Sequence, residues 1–202
     1  MFVLGLTGSI GMGKSTTAEM FRRAGVKVFD ADAAVHALYE GEAAPLIEAA
    51  FPGTTQAGAV DRLALRERVL GDSVALAGLE SIVHPLVARS RENFLNEARK
   101  SGERIVVVDV PLLLETGGER YVDAVVLVSA PETVQKARVA ARPGMTPEHL
   151  AAILEKQMPD REKRLRSHFI IDTSRGFAEA ERQVQSLLRS LAGVPGCGKD
   201  RV

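Results

Sequence analysis

GSIGMGKS, residues Gly8 to Ser15, follows the apolar run FVLGLT (2–7) and precedes TTAEMFRRAG (16–25). Its spacing is G-x-x-x-x-G-K-[ST], and the physics of that spacing is an anion cradle. Gly8, Gly11 and Gly13 permit dihedrals that turn successive backbone N–H groups into one concavity. Lys14 adds a point charge, Ser15 adds a hydroxyl, and a helix starting here adds the partial positive charge of its N-terminus. The same glycine and lysine spacing recurs in GVPGCGKD, residues 193–200. There Asp200 replaces the hydroxyl residue, Pro195 removes a backbone donor, no strand precedes and no helix follows. The first copy is read as a phosphate loop; the second is read as part of a disordered tail, 193–202.

Working outward, FVLGLT reads as a buried strand, and the segment after Lys14 as a helix with Ala18, Met20 and Phe21 inward and Gly25 as its stop. VKVF (26–29), IVVVDV (105–110), AVVLVSA (124–130) and FIID (169–172) supply four more strands. Their uninterrupted β-branched runs suit a parallel sheet covered on both faces. Strands alternating with helices argue a doubly wound, five-stranded α/β fold of P-loop NTPase type. The core is expected over 1–32, 103–137 and 167–192 of a single domain, 1–192. Between them lie a helical insertion (33–102), with no strand signal and with His84-Pro85 as a break, and an arginine-rich helical lid (138–166). The closing helix, 177–191, places Phe177, Ala180, Val184, Leu187, Leu188 and Leu191 on one inward stripe.

Composition bounds the chemistry. Lys plus Arg and Asp plus Glu number 26 each, so net charge points to neither nucleic acid nor membrane, and any anion site is built locally. No apolar run reaches the roughly 20 residues of a membrane span. One cysteine, Cys197, forms no internal disulfide, which fits a reducing cytoplasm.

A phosphate loop of this kind binds a nucleoside triphosphate with Mg²⁺. Gly8, Ser9, Ile10, Gly11, Met12, Gly13, Lys14, Ser15 and Thr16 form the cradle, and Ser15 is the first candidate metal ligand. In FDAD, Asp30 and Asp32 stand where the second strand ends and a helix begins, the edge that faces ligand in a doubly wound sheet. One reading is a helix cap; the other is an acid that orients an attacking hydroxyl. Asp32 is taken for the hydroxyl and Asp30 for structure. VVVDVPLLLE resembles a Walker-B strand, with Asp109 organising Mg²⁺ or simply ending the strand. Arg138 and Arg142 share a helix face. A phosphotransferase needs cations on a moving flap to meet charge on the transferring group, and Arg142, beside Pro143-Gly144, is the first choice, Arg138 the second.

With LTGSIGMGKST (6–16), VFDAD (28–32), His84-Pro85, DVPLLLE (109–115), VLVSAPETVQKAR (126–138) and FIIDTS (169–174) in this order, the chain resembles the dephospho-CoA kinases. The resemblance implies transfer of the ATP γ-phosphate to the ribose 3′-hydroxyl of dephospho-CoA, the last step of coenzyme A synthesis. It implies Asp32 as the base or hydroxyl-orienting acid, His84 in the substrate region, phosphate-clamping lid arginines, and Asp172 to Arg175 near the adenine. Ser9 and Met12 depart from the family's loop, and Ser167-His168 and Asp172-Thr173 from its last strand. The rivals are a nucleoside monophosphate or other small-metabolite kinase, a GTPase or ATPase motor, and a nucleotide-binding module without turnover. The guanine-reading Asn-Lys-x-Asp is absent, and Asn93 and Asn96 fall on an expected helix.

Overall fold

In the computed structural model, which describes residues 1–196, five strands form one parallel sheet in the order β2-β5-β1-β6-β7. They are β1 (Phe2–Thr7), β2 (Lys27–Asp30), β5 (Ile105–Asp109), β6 (Ala124–Ser129) and β7 (Phe169–Asp172). All six residues of β1 and of β6 are buried, as central strands covered on both faces require. Register pairs Leu6 with Asp109, Thr7 with Leu127, and Ser129 with Asp172, so four strands end along one edge of the sheet. That edge, where the order reverses around β1, is where open α/β sheets hold ligands.

One face is sealed by α1 (Lys14–Arg23) and α9 (Phe177–Leu191). Ala18, Met20 and Phe21 of α1 meet Leu4, Leu6, Val126 and Val128, while α9 contributes Ala180, Val184, Leu187 and Leu191. Each large aliphatic side chain buried this way contributes about 1.5–3 kcal/mol. The stripe expected on α9 holds with one exception. Phe177 is 72% exposed, because it opens the helix just past the left-handed Gly176 and lies beyond the edge of the core.

The chain divides into two compact units, residues 1–29 with 98–196, and residues 30–97. The second unit has its own core, in which Leu38, Ala43, Ala44, Ile47, Val60, Leu65, Leu79, Val83 and Leu86 cluster. Its helices are α2 (Ala31–Tyr39), α3 (Ala43–Ala50) and α4 (Arg62–Val69), followed by α5 (Ser73–Lys100). Two sequence expectations fail here. A short hairpin, β3 (Thr55–Gln56) with β4 (Ala59–Val60), stands where no strand was expected. Its turn takes positive φ at Ala57 (52°) and Gly58 (82°), and alanine hides a turn that asparagine or aspartate would announce. Glu48 staples the loop, accepting from the Gly53 and Thr54 amides and the Thr55 hydroxyl. These hydrogen bonds, that of Gly53 foremost, hold its carboxyl below the usual range. Nor does Pro85 break the chain: it lies inside the 28-residue α5. The lost backbone bond costs about 3 kcal/mol, and burial of Leu79, Val83 and Leu86 on either side of it outweighs that.

After β6 come α6 (Glu132–Ala140), α7 (Pro147–Glu155) and α8 (Asp160–Arg166), of which the end of α6 and all of α7 and α8 fall in the arginine-rich stretch 138–166. Of the tail motif, residues 197–200 lie outside the described residues, as does Cys197.

Candidate active site

The loop after β1 has the conformation its glycines were read to allow. Gly11 and Gly13 sit at φ 76° and 93°, and a Cβ on Gly11 would come within 2.6 Å of Val139 Cγ2. A Cβ on Gly8 would meet the Val128 carbonyl at 2.8 Å. Gly13 is the N-cap of α1, and the first turn of that helix carries no acidic residue, so its exposed amides and dipole favour an anion. Ser15 and Thr16 are exposed on that turn.

Lys14 and Asp109 meet at the sheet edge, Nζ to Oδ1 at 2.6 Å, with Asp109 only 2% exposed and Lys14 14%. Register explains the meeting: Asp109 pairs with Leu6 on the adjacent strand, and the loop begins two residues later. A buried carboxylate at this distance holds the ammonium where the phosphates of a nucleotide would be met. Among the described residues, no three His, Cys, Asp or Glu side chains converge as a metal cage. The donors that are present, one hydroxyl and one buried carboxylate beside an anion cradle, fit a Mg²⁺ that takes its remaining ligands from phosphates and water.

A second ring of contacts shapes the loop, and two of its members, Gln135 and Gln157, were not singled out from sequence. Thr173, just after β7, donates its hydroxyl to the Met12 carbonyl at 2.7 Å. Arg138 donates to the Thr173 hydroxyl at 2.9 Å and to its carbonyl at 2.8 Å, with the Gly11 carbonyl at 3.4 Å. Gln135 donates to the Ile10 carbonyl at 2.8 Å, and Gln157 accepts from the Ile10 amide at 3.1 Å. Met12 is buried, and its Sδ accepts from the Ala130 amide. Thr173 carried a signal, since it stands at a departure from the family pattern; the two glutamines carry none.

Arg142 lies beyond the end of α6, so it does not share a helix face with Arg138 as spacing suggested; its side chain is exposed and makes no hydrogen bond or ion pair among the described residues. It lines a cavity with Gly13, Thr16, Arg138, Thr173 and Phe177, directly beside the phosphate loop. Asp172, at the end of β7, accepts from the Ser174 amide at 2.8 Å. Hydrogen bonding by Ser174 holds its carboxyl below the usual range, aided by the Arg175 and Arg164 charges and opposed by partial burial.

Asp32 and His84 belong to the helical unit. Asp30 is the N-cap of α2, its carboxylate accepting from the Ala33 amide at 3.0 Å, so Asp32 lies in the first turn and is exposed. His84 is exposed on α5, immediately before Pro85.

A family model described as dephospho-CoA kinase matches residues 2–179. The chain is 59% identical over 196 residues to the dephospho-CoA kinase of Mesorhizobium japonicum, covering 97% of this chain and all of that protein. To the dephospho-CoA kinase of Rhodopseudomonas palustris (strain HaA2) it is 58% identical over 195 residues, covering 96% and 98%. Among solved structures it is similar to TT1252 from Thermus thermophilus, with a TM-score of 0.81, 34% identity, and coverage of 96% and 98%. A phosphate loop between β1 and α1, a buried acid on the neighbouring strand and a match spanning both compact units agree, and the chain belongs to the dephospho-CoA kinase family.

Proposed function

We propose that this chain transfers the γ-phosphoryl group of ATP to the ribose 3′-hydroxyl of dephospho-CoA, releasing ADP and coenzyme A. The observation that carries the phosphotransfer is the Lys14–Asp109 pair at the mouth of a glycine cradle. The acceptor rests on family membership.

In the transfer, a bond forms between the 3′-oxygen and the γ-phosphorus, and the bond to the β–γ bridging oxygen breaks. Backbone amides of Gly11 to Ser15 and the Lys14 ammonium hold the β- and γ-phosphates. Mg²⁺, held by Ser15 and organised by Asp109, supplies charge neutralisation across those phosphates when bound. Asp32 accepts or orients the proton of the attacking hydroxyl. A carboxylate suffices in this role, because a loose phosphoryl transition state depends on positioning more than on early proton removal. Arg142 closes over the γ-phosphate, and Arg138 shapes the nucleotide cavity. The adenine occupies the cavity between Thr16, Thr173 and Phe177, with Asp172 preceding Thr173 in the chain. The helical unit, with His84, takes the acceptor. We assign the reaction to the cytoplasm, in keeping with a single cysteine.

The test is ADP release with ATP and Mg²⁺ across a panel of acceptors, with the product identified by mass. Turnover selective for dephospho-CoA is expected; turnover only on nucleoside monophosphates, or hydrolysis independent of acceptor, overturns the proposal. Asp32→Asn should keep ATP binding and lose at least ~100-fold in kcat, the lower end of the range for one proton-handling group. Near-native turnover would remove Asp32 from this role.

A further inference from the structure

The lid returns to the core at three separate points. Gln157 accepts from the Ile10 amide of the phosphate loop at 3.1 Å. The Met158 amide donates to Glu115 Oε1 at 2.9 Å, and Lys163 Nζ lies 2.8 Å from the same oxygen. The Ser129 hydroxyl, at the end of β6, lies 2.8 Å and 2.9 Å from the two Asp160 oxygens and accepts from Arg164 at 2.7 Å. Arg164 in turn pairs with Asp160 at 2.7 Å.

The second point is the unusual one. Lys163 has no exposed surface, a condition lysine almost never tolerates unless paired. Its contact with Glu115 is an ion pair by distance, without the geometry of a directed hydrogen bond, and Glu115 Oε2 is buried with no hydrogen-bond partner among the described residues. Such a pair is a poor source of stability, since apolar side chains of similar volume commonly do as well; what it can fix is registry. Here it fixes the segment that follows Gln157. The outgoing arm acts on the same loop residue, because Gln135 of α6 holds the Ile10 carbonyl at 2.8 Å. Between the two arms the lid is loosely held: Gly144 takes φ 74°, and α7 has no buried residue. Few buried contacts are the mark of a locally opening segment.

We propose that Glu115 and Lys163 form a buried latch that pins the returning arm of the lid so that Gln157 reaches Ile10. Glu115, Lys163 and Gln157 are thus positioning residues for phosphoryl transfer, and lid motion is confined to about residues 142–156, between the end of α6 and Gln157. Glu115, the acid that ends PLLLE, serves the lid and not the metal. The consequence is kinetic. A phosphate loop whose residue 10 is gripped at both N–H and C=O is already shaped before nucleotide arrives, and misplacement on the order of 1 Å costs about 100-fold in rate.

The test uses Glu115→Gln and Lys163→Met in the full chain, reading hydrogen exchange by segment together with kcat and the KM for ATP. Residues 157–166 are expected to exchange faster while β1 and β5 do not, with kcat falling ~10-fold or more and KM changing less. Faster exchange of 157–166 with kcat within twofold of wild type overturns the positioning role, and unchanged exchange overturns the latch. Should both variants fail to fold, Gln157→Leu decides: a severalfold loss of kcat at unchanged Tm supports the proposal, and unchanged kcat refutes it.

Discussion

Replacing Lys14 by Met, Asp109 by Asn, and both together isolates the contact on which the site is built. The two charges are 2.6 Å apart, with Asp109 2% and Lys14 14% exposed. At an effective dielectric constant of about 20, their attraction is of order 6 kcal/mol. Desolvation offsets much of this, yet removing one partner of a buried pair still costs about 3–5 kcal/mol. Lys14 retains some access to water, so the lower end applies. In a chain of this length, about 3 kcal/mol corresponds to a Tm loss of roughly 6–12 °C for either single variant. The double variant should recover part of that loss, with a coupling energy of about 2 kcal/mol by thermal or urea unfolding. Because the pair is largely shielded from solvent, the coupling should persist in 0.5 M salt. Additivity of the two losses within about 0.3 kcal/mol, or coupling that vanishes with salt, would show that the contact is a surface encounter and does not hold the loop.

Other outcomes follow from single contacts. Gly11→Ala puts a side chain at φ 76° and 2.6 Å from Val139 Cγ2; it should destabilise the fold by about 1–3 kcal/mol and weaken ATP binding in titration calorimetry. Native affinity and Tm would contradict the loop geometry. Thr173→Val leaves the Met12 carbonyl without its hydroxyl donor and Arg138 Nη1 with only the long contact to the Gly11 carbonyl; a loss of about 1–3 kcal/mol and a raised KM for ATP are expected, and unchanged kinetics would count against the tie. Asp172 has a lowered native pKa, so its contribution is fully present above the ordinary carboxylate range and is lost as pH falls through the native value. The Tm gap between wild type and Asp172→Asn should therefore be constant above about pH 5 and close below about pH 4; a gap that widens on acidification reverses the sign and refutes it.

The strands of the core were legible because a parallel sheet buries both faces, and IVVVD or AVVLVS has no other comfortable place. The phosphate loop was legible because its neighbours on either side constrain it as much as its glycines do. What escaped notice was decided by tertiary contact. Ala57 accepts a left-handed turn only because Glu48 fixes the strand beside it, and Pro85 passes inside a helix only because its neighbours are buried. Phe177 has helical spacing yet faces a cavity, since periodicity locates a stripe without saying where the core ends. Gln135 and Lys163 are polar residues in helices and Gln157 lies in the link between two of them, a pattern that belongs equally to any solvated face.

Arg138 and Arg142 show how far two residues that spacing alone would place on one helical face can diverge in use, since α6 ends at Ala140 and Arg142 lies beyond it. Four apart, they are equivalent by charge and spacing. Arg138, however, already bonds the Thr173 hydroxyl and carbonyl, with the Gly11 carbonyl in reach, so its guanidinium is committed to the shape of the cavity before any ligand enters. Reaching a γ-phosphate would cost it those bonds. The Arg142 side chain is exposed, holds no partner among the described residues, and belongs to the residue directly preceding Pro143 and the left-handed Gly144. A cation that meets charge only when a flap closes has to be free while the flap is open. The buried Glu115–Lys163 contact anchors the far end of the same flap. The division of labour between the two arginines thus follows from which one the resting fold leaves unbonded, a distinction that charge and spacing alone could not carry.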